Sequence, residues 1–237
     1  HSLGGDLYVV RASVDYKASA RYDDRLDVCL RCERVGTSSI TFVGAIFCND
    51  KLLVTGELIY VYANSETQKS KPIPQPLRDL FLDFEAGKTM TRMQSGDWTT
   101  LGSPALALRT EVFVSEQGVP IDLEQDELDA AAHHVVIFNT FNMPVATGRL
   151  IEHAKGVARI GRMAVKRVLR GSGIGAAVLQ ALLTVACERC DHEVVLHAQT
   201  SAKDFYAKFG FAPHGDVFEE AGIAHIEMRL NLIAPAQ

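Results

Sequence analysis

The chain has no lysine- or arginine-rich run and no excess of positive charge: 24 basic residues against 29 acidic give a net charge of -5 over 237 residues. A nucleic-acid backbone or an anionic membrane surface would need such an electrostatic footprint, so neither is expected as a partner. Also lacking is any apolar stretch near the roughly 18 residues of a membrane-spanning helix. The first residues, His1-Ser2-Leu3-Gly4-Gly5-Asp6, carry no apolar signal-peptide region, and a cytoplasmic location is the expectation. Five cysteines, an odd number, suit reduced thiols better than a disulfide framework. They form two CxxC pairs, but neither sits on the tight turn that a zinc ribbon needs. Cys29 and Cys32 fall in a strand pattern, where a spacing of three points them to opposite faces, and Cys187 and Cys190 end a helix pattern. No metal is expected. The Gly-Lys-Ser/Thr of a P-loop is absent, as are internal repeats and low-complexity tracts.

What is present is an ordinary globular composition, 47% hydrophobic and 22% charged, in a chain long enough for two domains of roughly 85 and 140 residues. Residues 8–16, 26–35, 38–48 and 52–63 read as four strands joined by short turns, which implies an antiparallel meander. A proline-rich break at Lys71-Pro72-Ile73-Pro74-Gln75-Pro76 precedes a short helix over 77–84. Residues 87–96 are polar and without apolar periodicity; they read as the linker, dividing the chain into domains 1–87 and 92–232.

Beyond the linker strands and helices alternate, as in an α/β or α+β fold. Helical patterns cover 106–115, 175–190 and 202–209, and strand patterns cover 134–139, 144–152, 158–165, 194–198 and 225–230. The helix over 175–190 carries the clearest apolar stripe: Val178, Leu179, Leu182, Leu183, Val185 and Ala186. His133 and His134 open a strand, so one should face inward and one outward.

A strand ending at Val165, a basic stretch, and then Arg170-Gly171-Ser172-Gly173-Ile174-Gly175-Ala176 opening a helix is an arrangement suited to a diphosphate. Glycines let the backbone approach, free N–H groups of the first turn donate, and the helix dipole favours negative charge. A glycine-rich turn alone also serves plain packing. Gly171-x-Gly173-x-x-Ala176 fits the dinucleotide pattern as well, but five residues separate Val165 from Gly171, and the strand over 194–198 ends in Gln199-Thr200-Ser201 without an acid.

Arg170-x-x-Gly173-x-Gly175 resembles the Q/R-x-x-G-x-G/A motif of GNAT acetyltransferases. Leu108-Arg-Thr-Glu-Val-Phe-Val-Ser-Glu-Gln117, Ala146-Thr-Gly-Arg-Leu150, Ile160-Gly-Arg-Met-Ala-Val165 and Ala198-Gln-Thr-Ser-Ala-Lys-Asp-Phe-Tyr-Ala-Lys-Phe-Gly-Phe211 resemble its ElaA-like branch. The resemblance implies acetyl-CoA as donor and a small amine or an N-terminal amine as acceptor. Met163, Ala164 and Val165 would lie along the pantetheine arm, and Arg170, Gly171, Ser172, Gly173, Ile174, Gly175 and Ala176 would hold the pyrophosphate. Phe205 would stand beside the sulfur, and Tyr206 would protonate the departing thiolate or else simply pack on the sheet. Glu116, with Glu111 as second choice, would serve as base. The acidic run Asp122, Glu124, Asp126, Glu127 and Asp129 reads as a solvated loop, with attraction of a cationic amine as the alternative.

Residues 8–85 are similar to the later part of a hotdog-fold acyl-CoA thioesterase of the YbgC and 4-hydroxybenzoyl-CoA type. Val14-Asp-Tyr-Lys-Ala-Ser-Ala-Arg-Tyr-Asp-Asp24, Gly36-Thr-Ser-Ser-Ile-Thr-Phe42 and Ile73-Pro-Gln-Pro-Leu77 carry the similarity. The family's first strand, catalytic aspartate and central helix lie before the matched part. The chain is therefore expected to be a partial hotdog antiparallel sheet followed by a GNAT mixed sheet, with an N-terminal segment missing and a homo-oligomer formed through the hotdog domain. Two alternatives stand beside the transferase: a thioesterase whose GNAT domain binds CoA without transferring, and a non-catalytic acyl-CoA sensor.

Overall fold

The computed structural model describes residues 4–232. The chain forms two compact units, His1–Met90 and Thr91–Gln237.

In the first unit β1 (Asp6–Tyr16), β2 (Asp27–Val35), β3 (Ser39–Cys48) and β4 (Lys51–Ala63) make one antiparallel sheet in the order β1-β4-β3-β2. Cys48 pairs with Lys51 across a two-residue turn whose Asn49 and Asp50 both have positive φ, 47° and 63°. That is the geometry whose twist matches a hairpin and that Asn and Asp tolerate. Helix α1 (Gln75–Glu85) starts behind Pro74 and lays Leu77 and Phe81 on Ile40, Phe42, Tyr62 and Ile73. Val10, Val28 and Leu30 remain 60%, 74% and 62% exposed.

The second unit runs β5 (Thr91–Gly96), α2 (Trp98–Arg109), a π-helical stretch Thr110–Glu116, and α3 (Ile121–Glu124). Then come β6 (His133–Asn139), β7 (Pro144–Ala154), β8 (Val157–Val165), α4 (Ile174–Glu188), β9 (Glu193–Gln199), α5 (Lys203–Ala207), β10 (Ala212–Glu220) and β11 (Ile223–Asn231). The seven strands lie in the order β10-β11-β9-β8-β7-β6-β5. Every pairing is antiparallel except β8 with β9, which α4 joins as a crossover. The stripe read from the sequence is the one α4 buries: Val178, Leu179, Leu182, Leu183 and Ala186. Gly148 on β7 lies directly under it, since a Cβ there would come within 2.6 Å of Met163 and 2.8 Å of Leu182 and Val178.

Two strands differ from expectation. Residues 91–96, read as linker, pair with β6 from Thr91–Asn139 to Gly96–His134. Residues 212–220, left without an element, pair with β11 although all nine are exposed. Both are sheet edges, where a neighbour supplies the hydrogen bonds and no apolar alternation is needed. Among the described residues no helix is long and apolar enough to cross a membrane.

The acidic run is not the solvated loop it resembled. Glu124 and Asp129 are 1% and 4% exposed and close on Arg109, itself 0% exposed. Arg109 donates to the Glu124 carboxylate, and its Nη1 and Nη2 reach Asp129 at 2.8 and 2.9 Å. Arg149 Nη1 bridges Asp129 at 2.7 Å and Asp126 at 2.6 Å. Trp98 lies over the Arg109 guanidinium at 5.6 Å. His134 is buried and its Nε2 donates to the Asp129 carbonyl at 2.9 Å, while its neighbour His133 stays half-buried beside Ser95. Burial pushes the carboxyls of Asp126 and Asp129 up, but the arginine hydrogen bonds and charges outweigh it and hold both below the usual range. Burial pushes His134 down.

Replacing Arg109 by Met takes from the buried Glu124 carboxylate its hydrogen-bonded cation and leaves Asp129 with Arg149 alone, and is expected to cost about 3–5 kcal/mol in urea unfolding; a loss under about 1 kcal/mol would show that the network is not structural. The depressed groups are charged (the acids) or neutral (His134) more readily in the folded state, so their stabilisation is present at neutral pH. It should fall below about pH 6.5 as His134 protonates in the unfolded chain, and again through the carboxylate range.

Candidate functional site

Strands β8 and β9 pair only from Val157–Glu193 to Ile160–Leu196, yet run on to Val165 and Gln199. They part where β8 is deformed. Its register against β7 shifts between Thr147 and Arg149, and opposite that shift Arg162 takes φ 53°, a left-handed conformation uncommon outside glycine. Arg162 is held there by the acidic loop: Nε donates to the Glu124 carbonyl at 3.0 Å, and Nη2 donates to the Leu123 carbonyl at 3.1 Å and the Asp126 carboxylate at 3.0 Å. From residue 161 to 165 the β8 edge facing β9 has no strand partner among the described residues, which leaves it open to an extended ligand except at the Val165 carbonyl, held by Arg170. Gln199 Nε2 donates to Gln117 Oε1 at 3.1 Å, tying the end of β9 to the end of the π-helical stretch.

After Val165 the chain makes a short 3-10 turn, Arg167–Leu169, and passes through Gly171 (φ 82°) and Gly173 (φ 88°) into α4, with Gly173 as its cap. Nothing lies within 4 Å of where a Cβ would stand at either glycine. Backbone conformation rather than crowding requires glycine here, and the space before the first-turn N–H groups and positive dipole end of α4 is left open. Ser172 Oγ donates to the Leu169 carbonyl at 2.6 Å, bracing the turn. A Cβ on Gly175 would come within 3.3 Å of Val165 and 3.9 Å of Phe205, so the loop, the strand end and α5 meet at that point.

Arg170 turns back from the loop. Its Nε donates to the Val165 carbonyl at 3.2 Å, and Nη1 and Nη2 grip Glu116 at 2.6 and 2.9 Å. These hydrogen bonds hold the Glu116 carboxyl below the usual range, assisted by the charges of Arg170 and Arg167. Glu111 is likewise closed on Lys166 at 2.6 Å. Both carboxylates expected as bases are thus occupied by cations of the loop region.

Tyr206, 8% exposed, packs edge-on to Phe205 with ring centroids 4.9 Å apart. Burial pushes its hydroxyl up to about 12. Tyr206, Met163, Gln117 and Gln199 line a cavity of about 410 Å³ beside the parted strands. The expected site residues therefore fall into one neighbourhood: Met163 and Val165 on the free edge, Arg170 through Ala176 at its end, Phe205 and Tyr206 across it. Ala164 does not join them: its side chain is buried with Leu108 and Val112, and its backbone pairs with Thr147 on β7. Sequence reading missed Arg159, Arg162, His197 and Glu220, whose spacing shows no pattern until the strands are paired. Among the described residues no group of side chains could hold a metal ion.

Residues 98–232 match the family model described as acetyltransferase (GNAT) domain, and residues 1–59 match the thioesterase superfamily. Protein ElaA of Escherichia coli is 35% identical over 136 residues, 54% of this chain and 86% of that protein. The uncharacterized N-acetyltransferase YjcF of Bacillus subtilis is 35% identical over 125 residues, 52% and 88% of the two chains. The crystal structure of ElaA superposes with TM-score 0.54 at 30% identity, covering 59% of this chain and 99% of that one. An acyl-CoA N-acyltransferase from Pseudomonas aeruginosa gives 0.54 at 31%, covering 59% and 98%. The chain belongs to the GNAT acetyltransferase family through its second unit, and its first unit is similar to the thioesterase superfamily over residues 1–59.

Proposed function

We propose that the chain transfers an acyl group, in the first place acetyl, from acyl-CoA to a small amine. The observation that carries this reading is the edge of β8 left unpaired beyond Ile160 and leading to the open Gly171–Gly173 turn at the start of α4. A long extended thioester with a diphosphate at one end fits both parts. The N–H groups of residues 171–176 and the Arg170 guanidinium would hold the diphosphate, and the free edge of residues 161–165 would align the pantetheine arm and polarise the thioester carbonyl. The amine, entering from the 410 Å³ cavity, forms the new N–C bond as the C–S bond breaks, and the proton lost by nitrogen balances the one gained by sulfur.

Tyr206 carries a hydroxyl and lines this cavity. With its pKa near 12 it stays protonated through neutral pH. Full transfer to a thiolate with a reference value of about 8.5 would be uphill by on the order of 5 kcal/mol, so its contribution is a hydrogen bond to the developing thiolate as the amine proton arrives. Glu116 is assigned a different part from the base expected of it. A carboxylate held low and gripped in two places accepts protons poorly, and it serves instead to park Arg170 until a diphosphate competes for it.

The domains assigned to this reading are 1–87 and 92–232, with association of copies through the hotdog sheet and a cytoplasmic location, in keeping with five free cysteines. No thioesterase catalytic residue is assigned. Measuring CoA release from acetyl-CoA with and without an amine panel separates the readings: amine-dependent release supports the transferase, amine-independent release the thioesterase, and binding with neither the sensor. Arg170→Ala is expected to weaken acetyl-CoA binding by about 1–3 kcal/mol in calorimetry, and unchanged affinity would count against the loop. Tyr206→Phe should lower turnover with acetyl-CoA affinity nearly intact; equal turnover would remove it from the reaction. Glu116→Gln should bind acetyl-CoA equally or more tightly and keep its turnover, whereas a hundredfold fall in turnover at unchanged affinity would restore Glu116 as the base.

A further inference from the structure

The cavity beside the parted strands holds several charges, and most arrive already neutralised. Asp126 is shared by Arg149 and Arg162, and Glu124 is held by Arg109. Arg159 lines the same cavity from the part of β8 that still pairs with β9. It forms no ion pair among the described residues. Its hydrogen-bond partner is His197 Nδ1, 2.8 Å from Nη2. An arginine can only donate, so that contact needs a lone pair on Nδ1. Yet Nδ1 also lies 3.0 Å from Glu220 Oε2, a contact that needs Nδ1–H. One ring nitrogen cannot satisfy both. When His197 serves Glu220, the half-buried Arg159 guanidinium has no hydrogen-bond acceptor among the described residues, and the Glu220 charge reaches it only across the ring. The other acid near this ring, Glu227, is 3.9 Å from Nε2 and is taken by Arg229 at 2.7 Å, and His225 adds no acceptor to Arg159.

A half-buried guanidinium without an acceptor is costly, and a carboxylate meets its planar fork with two charge-assisted hydrogen bonds. From Arg159 to Gly161, where the free edge begins, is two strand residues, about 7 Å. An anionic group on Arg159 would therefore sit within reach of the same small molecule whose nitrogen attacks at that edge. Resting on the acyltransferase reading, we propose that Arg159 anchors the carboxylate of the acceptor, which makes the acceptor class amines that carry a carboxylate, amino acids among them. His197 then turns its Nδ1–H to Glu220 as the ligand takes its place.

The test uses the full chain and matched amines that differ by one carboxylate: phenylalanine against phenethylamine, and lysine against cadaverine. Acetyl-CoA turnover is followed by CoA release, and binding of each amine to the CoA-loaded protein by calorimetry. The carboxylated member should have a KM at least tenfold lower. Arg159→Gln should raise that KM tenfold or more while leaving the KM of the plain amine and the affinity for CoA unchanged, and Arg159→Lys should recover part of the loss. Amine-dependent turnover without preference for the carboxylate, or a preference that survives Arg159→Gln, overturns the anchor and leaves the transferase reading intact. CoA binding without turnover of any amine, together with carboxylate-dependent amine binding lost in Arg159→Gln, strikes the transferase reading and keeps the anchor.

Discussion

The second unit is organised around a guanidinium that water does not reach. Arg109 ends α2 beneath Trp98 and is closed on Glu124 and Asp129, while Arg149 reaches Asp129 from β7 and both Arg149 and Arg162 reach Asp126. Three arginines and three acids balance in charge, and the network joins α2, the acidic loop, β7 and β8. An apolar cluster of the same volume would be as stable or more so. What the charges add is direction: the loop carbonyls of Leu123 and Glu124, fixed by this network, are the acceptors that hold Arg162 in a left-handed conformation. The bulge in β8, the parting from β9 and the free backbone edge all follow from that placement.

The open edge therefore exists before any ligand arrives. Its groups need not be stripped from a strand partner on binding, so reorganisation is small where charge develops. Arg170 is the exception, because it is committed to Glu116 and the Val165 carbonyl. That contact is half-exposed and correspondingly weak. It keeps a flexible cation near its post at little cost to the ligand that displaces it.

Much of this was legible in the residues. The stripe on α4, the Asn49-Asp50 turn and the Gly171–Gly173 loop each carry their cause in local chemistry, whether period, positive φ or a free helix end. The edge strands β5 and β10 did not, because their residues are polar and their pairing is supplied by a neighbour. The acidic run misled for a related reason. Five acids within eight positions look solvated until Arg109 is found fifteen residues before Glu124, and Arg149 twenty after Asp129. Nothing along the chain announces a counter-charge that distant. Arg159 and His197 are likewise brought together only by the parallel register of β8 and β9.

The length of the free edge has a consequence of its own. From Ile160 to Val165 is five residues, at most about 16 Å and shortened by the bulge at Arg162, with the cavity at one end and the glycine loop at the other. On the proposed reading the strand acts as a ruler: a donor must present its reactive carbon and its anionic end that far apart to engage both. An acyl phosphate or a short thioester reaches one station and misses the other. Selection among activated acyl groups would then be made by the span of the carrier, with no residue needed to inspect the acyl group itself.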